Sequence, residues 1–188
     1  MLNVNFKPFP ILTSSRLNFR KITNDDAPEI FLMRSNKEVM KFIPRPTITT
    51  IDEALAHIKL ISDKIEENIG INWAITEKLS DNNKLIGIIG HFKIDKDNYR
   101  SEIGYMLLPE YHNKGYITEA IATMIHYGFN TLNLHSIEAI IDPENKSSEK
   151  VLQKNNFVKE AHFKENEFYN GKFLDTVIYS IINKENKL

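Results

Sequence analysis

The chain has 188 residues, 41% of them hydrophobic and 26% charged, with a formal net charge of -1. That is enough chain to bury a real core as one domain, and too little positive charge for a non-specific nucleic-acid binder. There is no cysteine, which excludes disulfides, cysteine metal sites and a thiolate nucleophile. No stretch approaches the ~18 uninterrupted apolar residues of a membrane span. The opening MLNVNFKPFPIL lacks the apolar run of a signal peptide, so a cytoplasmic location is expected. The six histidines show neither HExxH nor a tight ligand-spaced pair, and no metal site is expected.

In chain order, Leu17 to Lys21 reads as a short strand. Thr23-Asn24-Asp25-Asp26 then opens a helix, with Pro28 near its first turn and Ile30, Phe31 and Met33 supplying apolar contacts. Pro44 and Pro46 mark a loop. Thr50 and Glu53 fit a capping box, followed by Ile51, Leu55, Ile58, Ile61 and Ile65 on roughly one helical face. The period then shortens. Ile71 to Thr76, Lys84 to Ile94 and Tyr99 to Leu107 read as strands of an antiparallel meander, with turns at Asp81-Asn82-Asn83 and Asp95-Lys96-Asp97-Asn98. Ile117, Ala120, Ile121, Met124 and Ile125 restore helical spacing as far as about Asn130. His135 to Ile141 is strand-like, and Asn145 to Asn155 is helical with Val151 and Leu152 inward. Phe157 to Phe168 and Lys172 to Ile182 form a hairpin around Asn170-Gly171. The strand-helix-strand unit from Ser101 to Ile141 implies parallel neighbours beside the meander. The fold class is therefore α+β (mixed α/β): one domain over residues 1–188, with a mostly antiparallel sheet of about seven strands and about four helices.

The stretch PEYHNKGYITEA, Pro109 to Ala120, stands apart. Helix starts usually carry a capping Ser, Thr, Asp or Asn and acids in the first turn. Here the start is His112-Asn113-Lys114-Gly115-Tyr116, and the first acid is Glu119. The first-turn amides have no intrahelical partner. Gly115 and Asn113 tolerate positive φ, Lys114 adds a cation and Thr118 a hydroxyl. Two readings stay open on this ground alone: an anion pocket suited to phosphate or pyrophosphate, or a solvated helix start with Lys114 on the surface. The stretch is neither GxxxxGK[ST] nor GxGxxG, which argues against a P-loop nucleotide or NAD.

The stretch resembles motif A of the Gcn5-related N-acetyltransferases (GNAT), R/Q-x-x-G-x-G/A, whose backbone amides bind the pyrophosphate of acetyl-CoA. More closely, several blocks resemble the branch of ribosomal-protein N-terminal acetyltransferases, the RimJ/RimL type. They are Leu12 to Leu17 with Arg20, Trp73-Ala74-Ile75, Leu85-Ile86-Gly87, Glu102-Ile103-Gly104-Tyr105, Gly115 to Ala120, Asn145 to Ser148 with Val151, Leu152 and Phe157, and Asn170-Gly171 with Asp175. They occur in the family's order over about residues 11 to 182. The first motif A position is His112 in place of Arg, Gln or Trp, and the last is Ile117 in place of Gly or Ala. Asn156 stands where a Gly precedes Phe157, and Leu152 stands where many members carry a Tyr, seven residues after the Asn.

The resemblance implies acetyl-CoA as co-substrate, no metal, and direct attack by an amine. It places the pyrophosphate against His112, Asn113, Lys114, Gly115, Tyr116, Ile117 and Thr118. It places the thioester carbonyl against the backbone near Met106 and Leu107, and the pantetheine arm near Asn145 and Ser148, with Ser148 a proton donor to the leaving thiolate. Capping is the competing role for Asn145 and Ser148. Glu102 is the candidate general base, the alternative being an ion pair with Arg16, Arg20 or Arg100. Tyr105 and Tyr116 read as packing or pocket walls, Trp73 as core, and His91 and His112 as surface residues or ligand contacts. An α-amine of pKa ~7.7–8.0 is roughly a tenth neutral at pH 7, far more than a Lys amine of pKa ~10.4. A protein or peptide N-terminus is thus the expected acceptor, with a small amine (polyamine or antibiotic) or a silent acyl-CoA sensor as alternatives. Neither nucleic acid nor a membrane is an expected partner, and a homodimer is expected by analogy.

Overall fold

Eight strands pair into one sheet in the computed structural model, which describes residues 1–80 and 83–184. The elements in chain order are β1 (Leu12–Thr13), β2 (Leu17–Arg20), α1 (Ala27–Ser35), α2 (Lys37–Met40), α3 (Ile51–Glu66), β3 (Ile71–Glu77), β4 (Gly87–Asp95), β5 (Arg100–Leu107), α4 (Tyr116–Asn130), β6 (Ser136–Ile141), α5 (Lys146–Lys154), β7 (Val158–Tyr169) and β8 (Lys172–Ile182). The spatial order is β1-β2-β3-β4-β5-β6-β8-β7. Among the described residues only β5 and β6 pair in parallel, joined through α4 as the strand-helix-strand pattern implies.

Two elements escape the sequence pattern because they are short. The two-residue β1 pairs Leu12 with Phe19, too brief to show alternation. Helix α2 is four residues, set by Asn36, whose side chain accepts from Glu38 and Val39 N–H. Elsewhere local chemistry acts as expected. Thr50 and Glu53 close a reciprocal capping box on α3. Asn170 and Gly171 both take positive φ, 48° and 77°, as a two-residue hairpin turn with right-handed twist requires. Asn156 takes φ 63°, while Phe157 N–H donates to Leu152 C=O and Asn156 N–H to Gln153 C=O. That bond pair ends α5 as a glycine would. Of the expected turn at Asp81-Asn82-Asn83, Asp81 and Asn82 lie outside the described residues.

Alternation along β4 assigns the helices to the two faces of the sheet. His91 points at α4, where its Nε2–H donates to Met124 C=O (3.1 Å) and its Nδ1 accepts from Ser101 Oγ (2.8 Å). The carbonyl can only accept, which fixes that tautomer. Phe92 points the other way, its ring 5.7 Å from Lys64 Nζ of α3. Trp73 is fully buried, edge-on to Tyr127 of α4, with its indole N–H donating to Pro10 C=O (2.7 Å). His91 therefore corrects the expectation of a surface or ligand-contacting histidine, because it is sealed in the core among β4, β5 and α4.

Burial pushes the His91 pKa down to about 4. The unfolded chain takes up a proton here near pH 6.5 and the folded chain only near pH 4, so stability is full above 6.5 and falls as the pH drops between them. The loss at this site is at most about 3 kcal/mol. His57 is also lowered to about 4 and acts in the same direction. Urea unfolding at pH 7 and pH 4.5 should show His91→Gln less stable than the parent at pH 7, with the difference shrinking in acid. A pH-independent difference would remove His91 as the titrating group.

Candidate active site

Pairing between β5 and β6 begins at Arg100–Ser136 and stops at Glu102–Glu138, although β5 continues to Leu107 and β6 to Ile141. Beyond that point the two strands part. On its other side β5 remains paired with β4 as far as Gly87–Leu107, and Leu108 N–H donates to Ile86 C=O. Strand polar groups alternate in direction. That register turns the backbone of Gly104 and Met106 toward β4, and that of Ile103, Tyr105 and Leu107 toward the gap. Leu107, rather than Met106, thus offers its backbone at the opening. His112 folds back from the following loop, its Nε2–H donating to Leu107 C=O (3.0 Å).

The loop beyond β5 leads into the start of α4. Asn113 and Gly115 have φ of 59° and 77°, the left-handed region that Asn and Gly tolerate best. No side chain caps α4, and the first helical bond runs from Glu119 N–H to Gly115 C=O. The amides of Tyr116, Ile117 and Thr118 precede that bond with no partner from the helix. Glu119 does not fold back to fill the place. Its carboxylate accepts from Ser14 Oγ (2.7 Å), Arg16 N–H (2.7 Å) and Arg16 Nε (2.7 Å). These hydrogen bonds hold its pKa below the usual range against the opposing effect of burial. Arg16 also donates to Lys114 C=O (2.9 Å), and its guanidinium lies 4.8 Å from the Tyr116 ring centre. Tyr116 OH donates to Glu77. Lys114 Nζ lies over the Tyr111 ring. Ile117 is half-buried against the core, and Thr118 C=O accepts from Asn155 Nδ2 (3.2 Å), tying the first turn of α4 to the end of α5.

Asn145 caps α5, accepting from Ser148 N–H (3.1 Å), so the capping role is realised and its Nδ2 stays available. Tyr105, on the α4 side of β5, has a buried hydroxyl beside Ser148 with no hydrogen bond of normal geometry. Burial pushes its pKa up to about 12, so it stays protonated at neutral pH.

Glu102 lies on the opposite face of β5, half-buried and in register with Glu138. None of its three candidate ion-pair partners reaches it. Arg16 engages Glu119, Arg20 engages Asp26 (2.6 Å), and Arg100 engages Glu138. Burial pushes the Glu102 carboxyl up, the Glu138 carboxylate adds to the push, and Lys93, Lys64 and Arg45 pull it down. The net shift is upward. That cationic surround was not visible in the sequence, because α3, β4 and the loop after α2 bring it together from distant positions. Arg16 as organiser of the glycine turn was equally hidden, its partner lying 103 residues away. Among the described residues, no group of three or more His, Asp or Glu is placed to hold a metal ion, and no helix is long and apolar enough to cross a membrane.

The chain is similar to known proteins over most of its length. Residues 16–158 match the acetyltransferase (GNAT) domain family. The uncharacterized N-acetyltransferase YoaA of Bacillus subtilis is 36% identical over 174 residues, 93% of this chain and 97% of YoaA. A spermidine N(1)-acetyltransferase of Vibrio cholerae is 25% identical over 86% of this chain and 90% of its own. Among solved structures, a ribosomal-protein-S5-alanine acetyltransferase from Vibrio fischeri superposes with TM-score 0.81 at 26% identity, covering 95% of this chain and 100% of its own. RimL, a ribosomal L7/L12 α-N-protein acetyltransferase solved with coenzyme A, shares the fold at TM-score 0.83 and 21% identity, covering 94% and 100%.

The pKa of Glu102 is open to direct measurement. In carboxyl-carbon NMR titrations Glu102 should titrate above an ordinary glutamate. Glu138→Gln should lower it and Lys93→Ala should raise it, while a Glu102 value below 4 in the parent would contradict the desolvated site.

Proposed function

The chain belongs to the GNAT acetyltransferase family, and we propose that it transfers acetyl from acetyl-CoA to a primary amine, most favourably the α-amine of a protein or peptide N-terminus. One observation carries this reading. The parting of β5 and β6 leaves a slot that joins a backbone edge and an uncapped helix start on one side to a desolvated carboxylate on the other.

The residues present suit the coenzyme. The amides of Tyr116, Ile117 and Thr118, behind the left-handed Gly115, would receive its diphosphate with Lys114 nearby. The gap-facing backbone of Tyr105 and Leu107 would receive its extended arm as an added strand, with Asn145 and Ser148 along the far wall. Bound there, acetyl-CoA supplies an activated acyl group. The Leu107 N–H is the donor for charge developing on the carbonyl oxygen.

Glu102 accepts the proton that the attacking amine must lose, directly or through water. Its raised pKa suits a base working near neutrality. The C–N bond forms and the C–S bond breaks; the Ser148 hydroxyl gives its proton to the leaving sulfur and is reprotonated by solvent, which takes up in turn the proton held by Glu102. The absence of cysteine leaves no acetyl-cysteine route through this chain. Support for the α-amine acceptor comes from the likeness to the S5-alanine enzyme and from the lower demand that an α-amine places on a base. A soluble, cytoplasmic enzyme working as a homodimer completes the proposal by analogy with the branch.

Glu102→Gln should lower kcat with an Ala- or Ser-initiated peptide by about 10²-fold at pH 7. The deficit should narrow by pH 9, where the amine loses its proton unaided. Full activity of the variant at pH 7 would remove Glu102 as base. Gly115→Val should weaken coenzyme A binding at least tenfold in calorimetry, since a β-branched residue resists φ 77°. Unchanged affinity would remove the glycine turn as the diphosphate site.

A further inference from the structure

Beside the Glu102 face lies an open cavity of about 550 Å³, walled by α2 and the loop after it, the end of β6 and the β7–β8 hairpin. Glu138, the in-register neighbour of Glu102, shares a face of β6 with Ile140, which lines this cavity. Two residues of strand span about 7 Å. A chain extending from an amine at Glu102 along the direction of β6 reaches the cavity within about two residues.

The cavity's charges are unbalanced in a particular way. Its acids are largely engaged within the protein. Asp175 takes His162 Nε2 (2.8 Å), Lys164 (3.3 Å) and the Glu165 N–H (2.9 Å). Glu167 takes Arg45 (3.4 Å), and Asp142 takes the Glu144 N–H (2.7 Å). Apart from Arg45, its cations are not. Among the described residues, Lys37, Lys41 and Lys172 have no carboxylate partner, and Lys41 rests over the Phe42 ring. Arg34, close enough to Arg45 for its charge to be felt, also lacks a carboxylate partner, and its buried Nε has no hydrogen bond. Such a surface repels a polyamine tail and attracts carboxylates. The same cations depress the pKa of an amine held beside them, which favours the neutral nucleophile.

Resting on the acceptor reading above, we infer that the preferred acceptor is a peptide whose α-amine is followed, at its second and third residues, by acidic side chains held against Lys37, Lys41 and Lys172. These contacts are solvent-exposed, so the preference is electrostatic and salt-sensitive.

The test uses the full chain, acetyl-CoA and three acceptors: a peptide beginning Ser-Glu-Asp, its length-matched counterpart beginning Ser-Lys-Arg, and spermidine. The acidic peptide should show at least tenfold higher kcat/KM than either of the others at low salt, with the advantage shrinking in 0.5 M NaCl, ~4 Å Debye length. The charge-reversed Lys41→Glu/Lys172→Glu double variant, checked for an unchanged melting profile, should reverse the order of the two peptides. Equal rates on both peptides, or faster turnover of spermidine, would overturn this inference and leave amine acetylation standing. Absence of turnover on every amine, with coenzyme A still bound, would overturn the acetyltransferase reading itself and the acceptor preference with it.

Discussion

The site depends on one interruption of hydrogen bonding, the loss of pairing between β5 and β6 beyond Glu102 and Glu138. A strand edge inside a sheet is ordinarily satisfied by its neighbour. Here the neighbour diverges, and the edge from Ile103 to Leu107 faces a slot. The slot is held open from both ends. On one side β5 stays paired to β4 through Leu107, and on the other β6 stays paired to β8 through Ile141–Val177. Neither strand can close on the other without giving up a ladder it already has.

The crossover from β5 to β6 fixes what lies at the mouth of that slot. A parallel pair needs a long connection, and α4 supplies it, so the helix start necessarily sits at the carboxyl end of β5. Its placement is refined by a clamp that spans the sheet. Arg16 and Ser14, from the segment between β1 and β2, hold Glu119, and Arg16 also holds Lys114 C=O. With its carboxylate spent on that clamp, Glu119 does not cap its own helix. The unfilled helix start thus follows from tertiary wiring as much as from the missing cap residue.

The two faces of β5 carry different groups. Tyr105 and Ser148 lie on the side of α4 and α5, whereas Glu102 lies on the side of α3 among Lys64, Lys93 and Arg45. Alternation along a single strand is enough to place a buried phenol and a half-buried carboxyl on opposite sides of one opening. The Glu102–Glu138 pairing sets two carboxyls side by side at the point where the strands part, and Arg100 neutralises only Glu138. Burial, and then the neighbouring Glu138 carboxylate, raise the proton affinity of Glu102.

Local interactions were legible in the sequence. The capping box at Thr50 and Glu53, the Asn170-Gly171 turn, the Asn156 helix end, the uncapped start at Gly115 and the strand-helix-strand order all depend on residues within a few positions of one another, so residue type and spacing determine them. The tertiary structure alone decided the rest. It buried His91, freed Glu102 from all three candidate arginines, joined Arg16 to Glu119 and gathered cations from three segments around one carboxyl. Each of those outcomes turns on which distant side chain arrives first at a given charge or donor. No local pattern encodes that, because contact across a sheet is set by strand register and helix packing.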